Sequence, residues 1–183
     1  AGKLHYRFVH DAVTSRYIRK IYVFGKSEID YYVQLFGVPR EKFVAETLGI
    51  ADIAPRIRVM PPVRTDCFYL AAGRSNRDYD FLRDAWEPID APLCIVSDRE
   101  TVEDTAKIHY EKNCHGDAYL RLLADCKAVV VPLRSEDFSS GQLVVLQAAM
   151  LGKPVIVTQN NTIRDYIDDG QTGLIIPKSG QAL

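Results

Sequence analysis

The stretch "AVVVPLRSEDFSSGQLVVLQAAMLGKPVIVTQ" (128–159) decides the architecture. Its opening, "AVVVPL", is almost wholly apolar, the pattern of a strand buried on both faces. Residues 141–151 carry Leu143, Val144, Leu146 and Met150 in a helical pattern, so a helix follows with those side chains toward the core. "PVIVTQ" (154–159) then reads as a second buried strand. Strand, helix and strand joined this way make a parallel pair with a helical crossover. Ahead of the helix stand Ser139, Ser140 and Gly141, with almost no side-chain bulk. Either they cap the helix, as serines at helix starts commonly do, or they leave its first amides open to a ligand.

The rhythm repeats on both sides. Upstream, "CFYLAAG" (67–73), "PLCIVS" (92–97) and "IHYEK" (108–112) read as strands, with helices over 77–89 and 117–126 between or after them. Downstream, a short helix over 162–167 leads through "DDGQTG" to a strand at 174–177. Nearer the start, "IYVFG" (21–25) and "KFVAETLG" (42–49) are strands flanking a helix. Ser27 is its expected cap, Ile29, Tyr32, Val33 and Phe36 its apolar stripe, and Gly37 its stop. "IADIAPRIRVMPPVR" (50–64) has three prolines and no helical period, so it reads as a linker. The fold class is therefore α/β, a parallel sheet with helices on both faces. Ligands of such sheets bind beyond the carboxyl ends of the strands, which directs attention to the loops 73–77, 97–101 and 133–141.

Composition narrows the function. The 183 residues are 47% hydrophobic and 26% charged, as in a soluble globular protein. A net charge of -1 gives no global field for nucleic acid or an anionic membrane, so any anion must be bound by a local arrangement. No apolar run is long enough to span a bilayer and no targeting signal is visible, so the expected location is cytoplasmic. Cys67, Cys94, Cys114 and Cys126 form no CxxC pair, and Cys67 and Cys94 lie in apolar runs where a thiol acts as a small hydrophobe. No metal site is expected.

Two loops can carry chemistry. In "AAGRSNRD" (71–78), Gly73 permits a sharp turn and Arg74 and Arg77 are expected to project from it. Two guanidiniums so placed can clasp a diphosphate, or they can be solvated or paired with Asp78 and Asp80. In the second loop, Ser140, Gly141 and Gln142 would offer backbone amides at a helix start, a natural anion site. The helix dipole contributes only about 0.3–1 kcal/mol at an exposed end, whereas each hydrogen bond to a charged group adds about 1.5–3 kcal/mol. Gln147, about two turns along, can reach a vicinal diol or be an ordinary polar helix residue.

These residues resemble a known family. "GQLVVLQAAMLGKPVIVT" followed by "IRDYIDDGQTGLIIP" is similar to the nucleotide-sugar half of retaining GT-B glycosyltransferases of family four. "YLAAGR" with Arg77 resembles that family's first strand and its phosphate-binding Arg and Lys. The resemblance covers roughly 17–178 and implies a Rossmann-like donor domain over 66–183, truncated at its end. A linker at 51–65 and the end of a second Rossmann-like, acceptor-side domain at 1–50 would precede it. It implies a nucleoside-diphosphate sugar donor, no cofactor or metal, and a glycan, lipid or other small acceptor. Diphosphate contacts fall on Gly73, Arg74, Arg77, Ser140, Gly141 and Gln142, and sugar and ribose contacts on Ser139 and Gln147.

The chain departs from the family where two glutamates eight residues apart face the sugar and the ribose; here those positions are Ser139 and Gln147. No catalytic residue is assigned, and His109 and His115 fall outside the family's catalytic position. The resemblance implies that the earlier part of the acceptor-side domain, through which a peripheral membrane contact would run, lies outside this chain, so the chain alone is expected to be inactive. Two rivals remain open, a binding module that has lost turnover and a GT-B epimerase acting on the same donors. A dinucleotide oxidoreductase ranks low because no GxGxxG follows any strand.

Overall fold

The computed structural model describes residues 3–98, 103–137 and 139–179. A first unit is built from α1 (Lys3–Thr14), β1 (Ile21–Val23), α2 (Lys26–Phe36) and β2 (Phe43–Ala45), with β1 and β2 pairing in parallel. Its core joins Val23, Ile29, Phe36, Val38 and Phe43, against which Val9 and Val13 of α1 pack. Gly37 ends α2 at φ 64, and its N–H donates to the Val33 carbonyl at 2.9 Å. Ser27 is not the cap. Gly25 occupies the cap position, the Ser27 hydroxyl is buried without a partner among the described residues, and the Asp165 carboxylate accepts from the Lys26 amide at 2.6 Å. The first turn of α2 is thus served by a residue far away in sequence, which no local pattern can reveal.

Residues 51–65 run between the two units. Where the sequence shows no helical period they contain a short helix, α3 (Ala54–Arg58), with Ile57 buried. The segment is pinned rather than loose. Arg121 donates to the Ile57 and Met60 carbonyls at 3.2 and 3.1 Å, and Asp125 accepts from the Val63 and Arg64 amides at 2.9 and 3.2 Å.

The second unit is one sheet of six parallel strands. β3 (Tyr69–Ala72), α4 (Tyr79–Trp86), β4 (Leu93–Val96), β5 (Ile108–Glu111), α5 (Gly116–Asp125), β6 (Ala128–Val131), α6 (Gln142–Met150), β7 (Val155–Thr158) and β8 (Leu174–Ile176) follow in order. The strands lie as β5-β4-β3-β6-β7-β8. Alternation along them sorts side chains onto two faces. Leu70, Ala72, Cys94, Val96, Val129 and Val131 meet Leu120 and Leu123 of α5 and Val144, Val145 and Ala148 of α6. Ala71, Ile95 and Val130 meet Tyr79, Leu82 and Trp86 of α4 on the other. The helix before β7 is phased differently from expectation: Val144, Val145 and Ala148 are buried, while Leu143 is 50% exposed. Cys67 likewise lies exposed just ahead of β3, whereas Cys94, Cys114 and Cys126 are buried. Among the described residues no helix is long and apolar enough to cross a membrane.

Strand order reverses between β3 and β6, so the chain leaves these adjacent strands in opposite directions and opens a crevice at their carboxyl ends. The loops after β3 and β6 flank that crevice.

Burial alone would raise the Asp125 pKa, but the Arg121 side chain and the Val63 and Arg64 amides outweigh it and hold the carboxyl below its ordinary value. A folded pKa below the unfolded one gives stability present at neutral pH and lost as the carboxyl protonates. Asp125→Asn should therefore lower unfolding stability by about 1–3 kcal/mol at pH 7. In urea titrations the gap to wild type should shrink as pH falls below about 4. A constant gap would contradict the clasp.

Candidate functional site

Arg77 sits at the centre of the crevice and does not project. It is only 8% exposed, because its backbone bridges to Leu133 and the neighbouring Asp78 amide donates to the Pro132 carbonyl at 2.8 Å, zipping the two loops together. Its Nε donates to the Ala72 carbonyl at 2.9 Å, and Nη1 donates to the Ser75 carbonyl at 2.7 Å and Ser140 Oγ at 3.1 Å. All three acceptors are neutral. Arg77 has no carboxylate within ion-pair distance among the described residues, and its Nη2 makes no hydrogen bond to any of them. Burial lowers its pKa, yet a guanidinium remains protonated at neutral pH. Asp78 is occupied elsewhere, accepting from the Phe81 amide at the start of α4 and pairing with Lys178 at 2.5 Å. A buried cation with neutral neighbours and a free donor is costly unless an anion completes it.

The start of α6 lies beside it. A Cβ at Gly73 would stand 2.7 Å from Arg77 Cζ, so that glycine lets backbone approach the guanidinium, while a Cβ at Gly141 would stand 3.9 Å from Arg77 Nη2, an ordinary contact that places the start of α6 beside it. No side chain caps α6, so the serines are not caps. Ser140 Oγ donates instead to the Ser75 carbonyl at 2.9 Å while accepting from Arg77. The amides of the first turn consequently have no side-chain partner among the described residues. The Gln142 side chain turns inward to Thr162 Oγ1 at 3.2 Å, leaving only its backbone at the site. Ser139 points away: its N–H and hydroxyl both donate to Glu28, at 2.8 and 2.5 Å.

Arg74 does project, with its side chain 67% exposed. It pairs with Asp98 at 2.5 Å and lies 3.0 Å from His115 Nε2, so three loops meet at the mouth of the crevice. Behind them is an apolar cavity lined by Val96, Cys114, Leu120, Leu143 and Val144, which explains the exposure of Leu143. Gln147 also lines it. The Tyr119 hydroxyl donates to Gln147 Oε1 at 3.2 Å, leaving the amide nitrogen without a partner among the described residues. Burial pushes the Tyr119 pKa up, so it stays a donor.

The structure places Gly73, Arg74 and Gln147 around one cavity and Gly73, Arg74 and Arg77 around the adjoining one, sets Ser140 and Gly141 at the start of α6 against Arg77, and turns Ser139 to Glu28. Asp98 and His115 were not anticipated as neighbours. Asp98 follows directly on the strand read at 92–97, where position alone could have flagged it. Positions 99–101 of that loop, and position 138 of the loop before α6, lie outside the described residues. Among the described residues, no cluster of three or more His, Cys, Asp or Glu is placed to hold a metal ion.

The six-stranded parallel sheet flanked by helices is Rossmann-like, and its fold matches that of GT-B glycosyltransferase structures. The profile of the family Glycosyl transferases group 1 matches residues 64–183, and the chain belongs to that family. No curated protein sequence matches it. Among solved structures it is similar to HepE of Anabaena in complex with UDP and glucose (TM-score 0.76, 14% identity, covering 100% of this chain and 55% of that one). A glycosyltransferase from Rickettsia africae gives a TM-score of 0.73 at 12% identity, over 100% of this chain and 55% of that one. Sucrose-phosphate synthase of Thermosynechococcus elongatus gives 0.72 at 15%, over 99% and 50%. The chain spans about half the length of these proteins.

Gly141 resists replacement on two geometric grounds. Its φ is 93, in the left-handed region, and an added Cβ would lie 3.1 Å from Val131 Cγ1. Gly141→Ala should cost about 1–3 kcal/mol of unfolding free energy in urea titration. An unchanged midpoint would show that the loop does not require this backbone.

Proposed function

We propose that the chain is the donor-binding part of a retaining glycosyltransferase of family four, which transfers a sugar from a nucleoside-diphosphate sugar to a glycan, lipid or other small acceptor. The observation that carries this is the buried Arg77 guanidinium, bonded to neutral acceptors alone, with one nitrogen free beside the uncapped start of α6. Membership of the family supports the class, and the UDP and glucose bound to the similar HepE structure support a nucleotide-sugar donor. The diphosphate would lie between Arg77 and the amides of Gly141, Gln142 and Leu143. Arg74 would exchange Asp98 for a phosphate oxygen, and Gln147 would face the ribose. As the glycosidic bond breaks, negative charge grows on the departing diphosphate. Donors already fixed around that position stabilise it without reorganising. These positive groups carry the electrostatic role, with no step assigned to a metal or cofactor. The protein is proposed to work in the cytoplasm.

A second reading has its own support. Ser139 is turned away and Gln147 is neutral, so neither supplies a carboxylate to the crevice. A module that binds the donor without turning it over fits that chemistry, and incubating the intact protein with donor and following sugar transfer or hydrolysis separates the two.

A thermal-shift series with UDP, GDP, ADP and CMP tests the binding. A ligand at 100 times its dissociation constant stabilises by about 2.7 kcal/mol, and one diphosphate should shift the melting temperature well above its nucleoside. Arg74→Ala should weaken that diphosphate by about tenfold while changing nucleoside affinity far less. Equal losses for both ligands would refute the phosphate contact.

A further inference from the structure

We propose that Glu28, a residue of the first unit, is a positioning residue for the diphosphate crevice of the second. It rests on the donor-binding reading given above. Glu28 lies in the first turn of α2 and is 4% exposed. A buried carboxylate is expensive unless its oxygens are fully engaged. Here the engagement crosses between units: the Ser139 N–H donates to Oε1 at 2.8 Å, and the Ser139 hydroxyl donates to Oε2 at 2.5 Å. The Tyr32 hydroxyl adds a longer contact of 3.4 Å to Oε1. Burial, and then the charge of Glu28, push the Tyr32 pKa up to about 12, so that hydroxyl remains a donor. No cation lies within ion-pair distance of Glu28 among the described residues. A carboxylate is acceptor-only, and two oxygens meeting two donors on one residue fix that residue's orientation.

The next link follows directly along the chain. With Ser139 fastened to Glu28, Ser140 presents its Oγ to Arg77 Nη1 and the Ser75 carbonyl, and Gly141 takes its left-handed turn into α6. The loop between β6 and α6 is therefore held from both sides, by Glu28 of the first unit and Arg77 of the second. The close approach is built into the backbone as well, since a Cβ at Gly25 would lie 2.7 Å from Thr162 Cβ and 3.2 Å from Ser139 Oγ. Glu28 touches no part of the crevice itself, so its effect on a ligand passes through the loop. It should act on diphosphate contacts and spare nucleoside contacts.

The test compares UDP with uridine by calorimetry in the intact protein, together with amide hydrogen exchange over 139–143 without ligand. Glu28→Ala should lower UDP affinity by about tenfold, leave uridine within about twofold, and speed exchange in the loop. Glu28→Gln keeps an acceptor for the Ser139 N–H and should recover most of both. Asp165→Ala breaks another contact between the units, to the Lys26 amide; it should lower the melting temperature and preserve the preference for UDP. Equal loss of UDP and uridine in Glu28→Ala, or a preference for UDP lost equally in Asp165→Ala, would reduce Glu28 to a structural tie and overturn the proposal. So would full retention of the preference with unchanged exchange. A wild-type protein that shows no preference for UDP over uridine would instead sink the diphosphate reading itself.

Discussion

A guanidinium buried where two loops meet, with carbonyls and a hydroxyl around it and no carboxylate beside it, is the constraint from which the rest of the crevice follows. Arg77 draws the end of β3, the turn at Ser75 and the hydroxyl of Ser140 into one cluster. That cluster fixes how α6 begins. It also explains Gly73, because a side chain there would crowd the guanidinium; at Gly141 a Cβ would crowd Val131 instead. Among the described residues no carboxylate neutralises the charge. In the proposed reading an anion completes that cation, and the first amides of α6 would add further donors at the same place.

The sheet supplies the place. Its order, β5-β4-β3-β6-β7-β8, puts the reversal between the two strands that carry these loops. The apolar faces of β3 and β6 are filled on both sides, so the loops ride on rigid supports. The first unit is not a passive neighbour. Glu28, Asp165 and Tyr166 form bonds across the junction, with Tyr166 donating to the Phe24 carbonyl at 2.8 Å and accepting from the Leu48 amide at 3.0 Å. Pinning of 51–65 by Arg121 and Asp125 reinforces the same arrangement.

Much of the fold was legible because its signals are local. Continuous apolar runs such as "LCIV" and "AVVV" became central strands, and the turn glycine Gly37 adopted the left-handed conformation a helix stop requires. What stayed hidden depends on partners distant in sequence. The expected cap at Ser27 lost to Asp165, and the expected sugar-facing Ser139 lost to Glu28. The sequence marks Arg77 as a phosphate candidate, but its burial cannot be read from a loop sequence, since the bridge to Leu133 that encloses it spans two loops. Leu143 was assigned to the core by periodicity, and its actual position beside an open cavity marks a departure from that rule at the candidate site.

The central claim is that the free nitrogen of Arg77 and the first amides of α6 together complete themselves on a diphosphate. A crystal structure of the intact protein with UDP tests it most directly. The account predicts a phosphate oxygen within hydrogen-bond distance of Arg77 Nη2 and of at least one amide among Gly141, Gln142 and Leu143. A nucleotide bound elsewhere, or a phosphate that passes Arg77 by and leaves those amides to water, would contradict it.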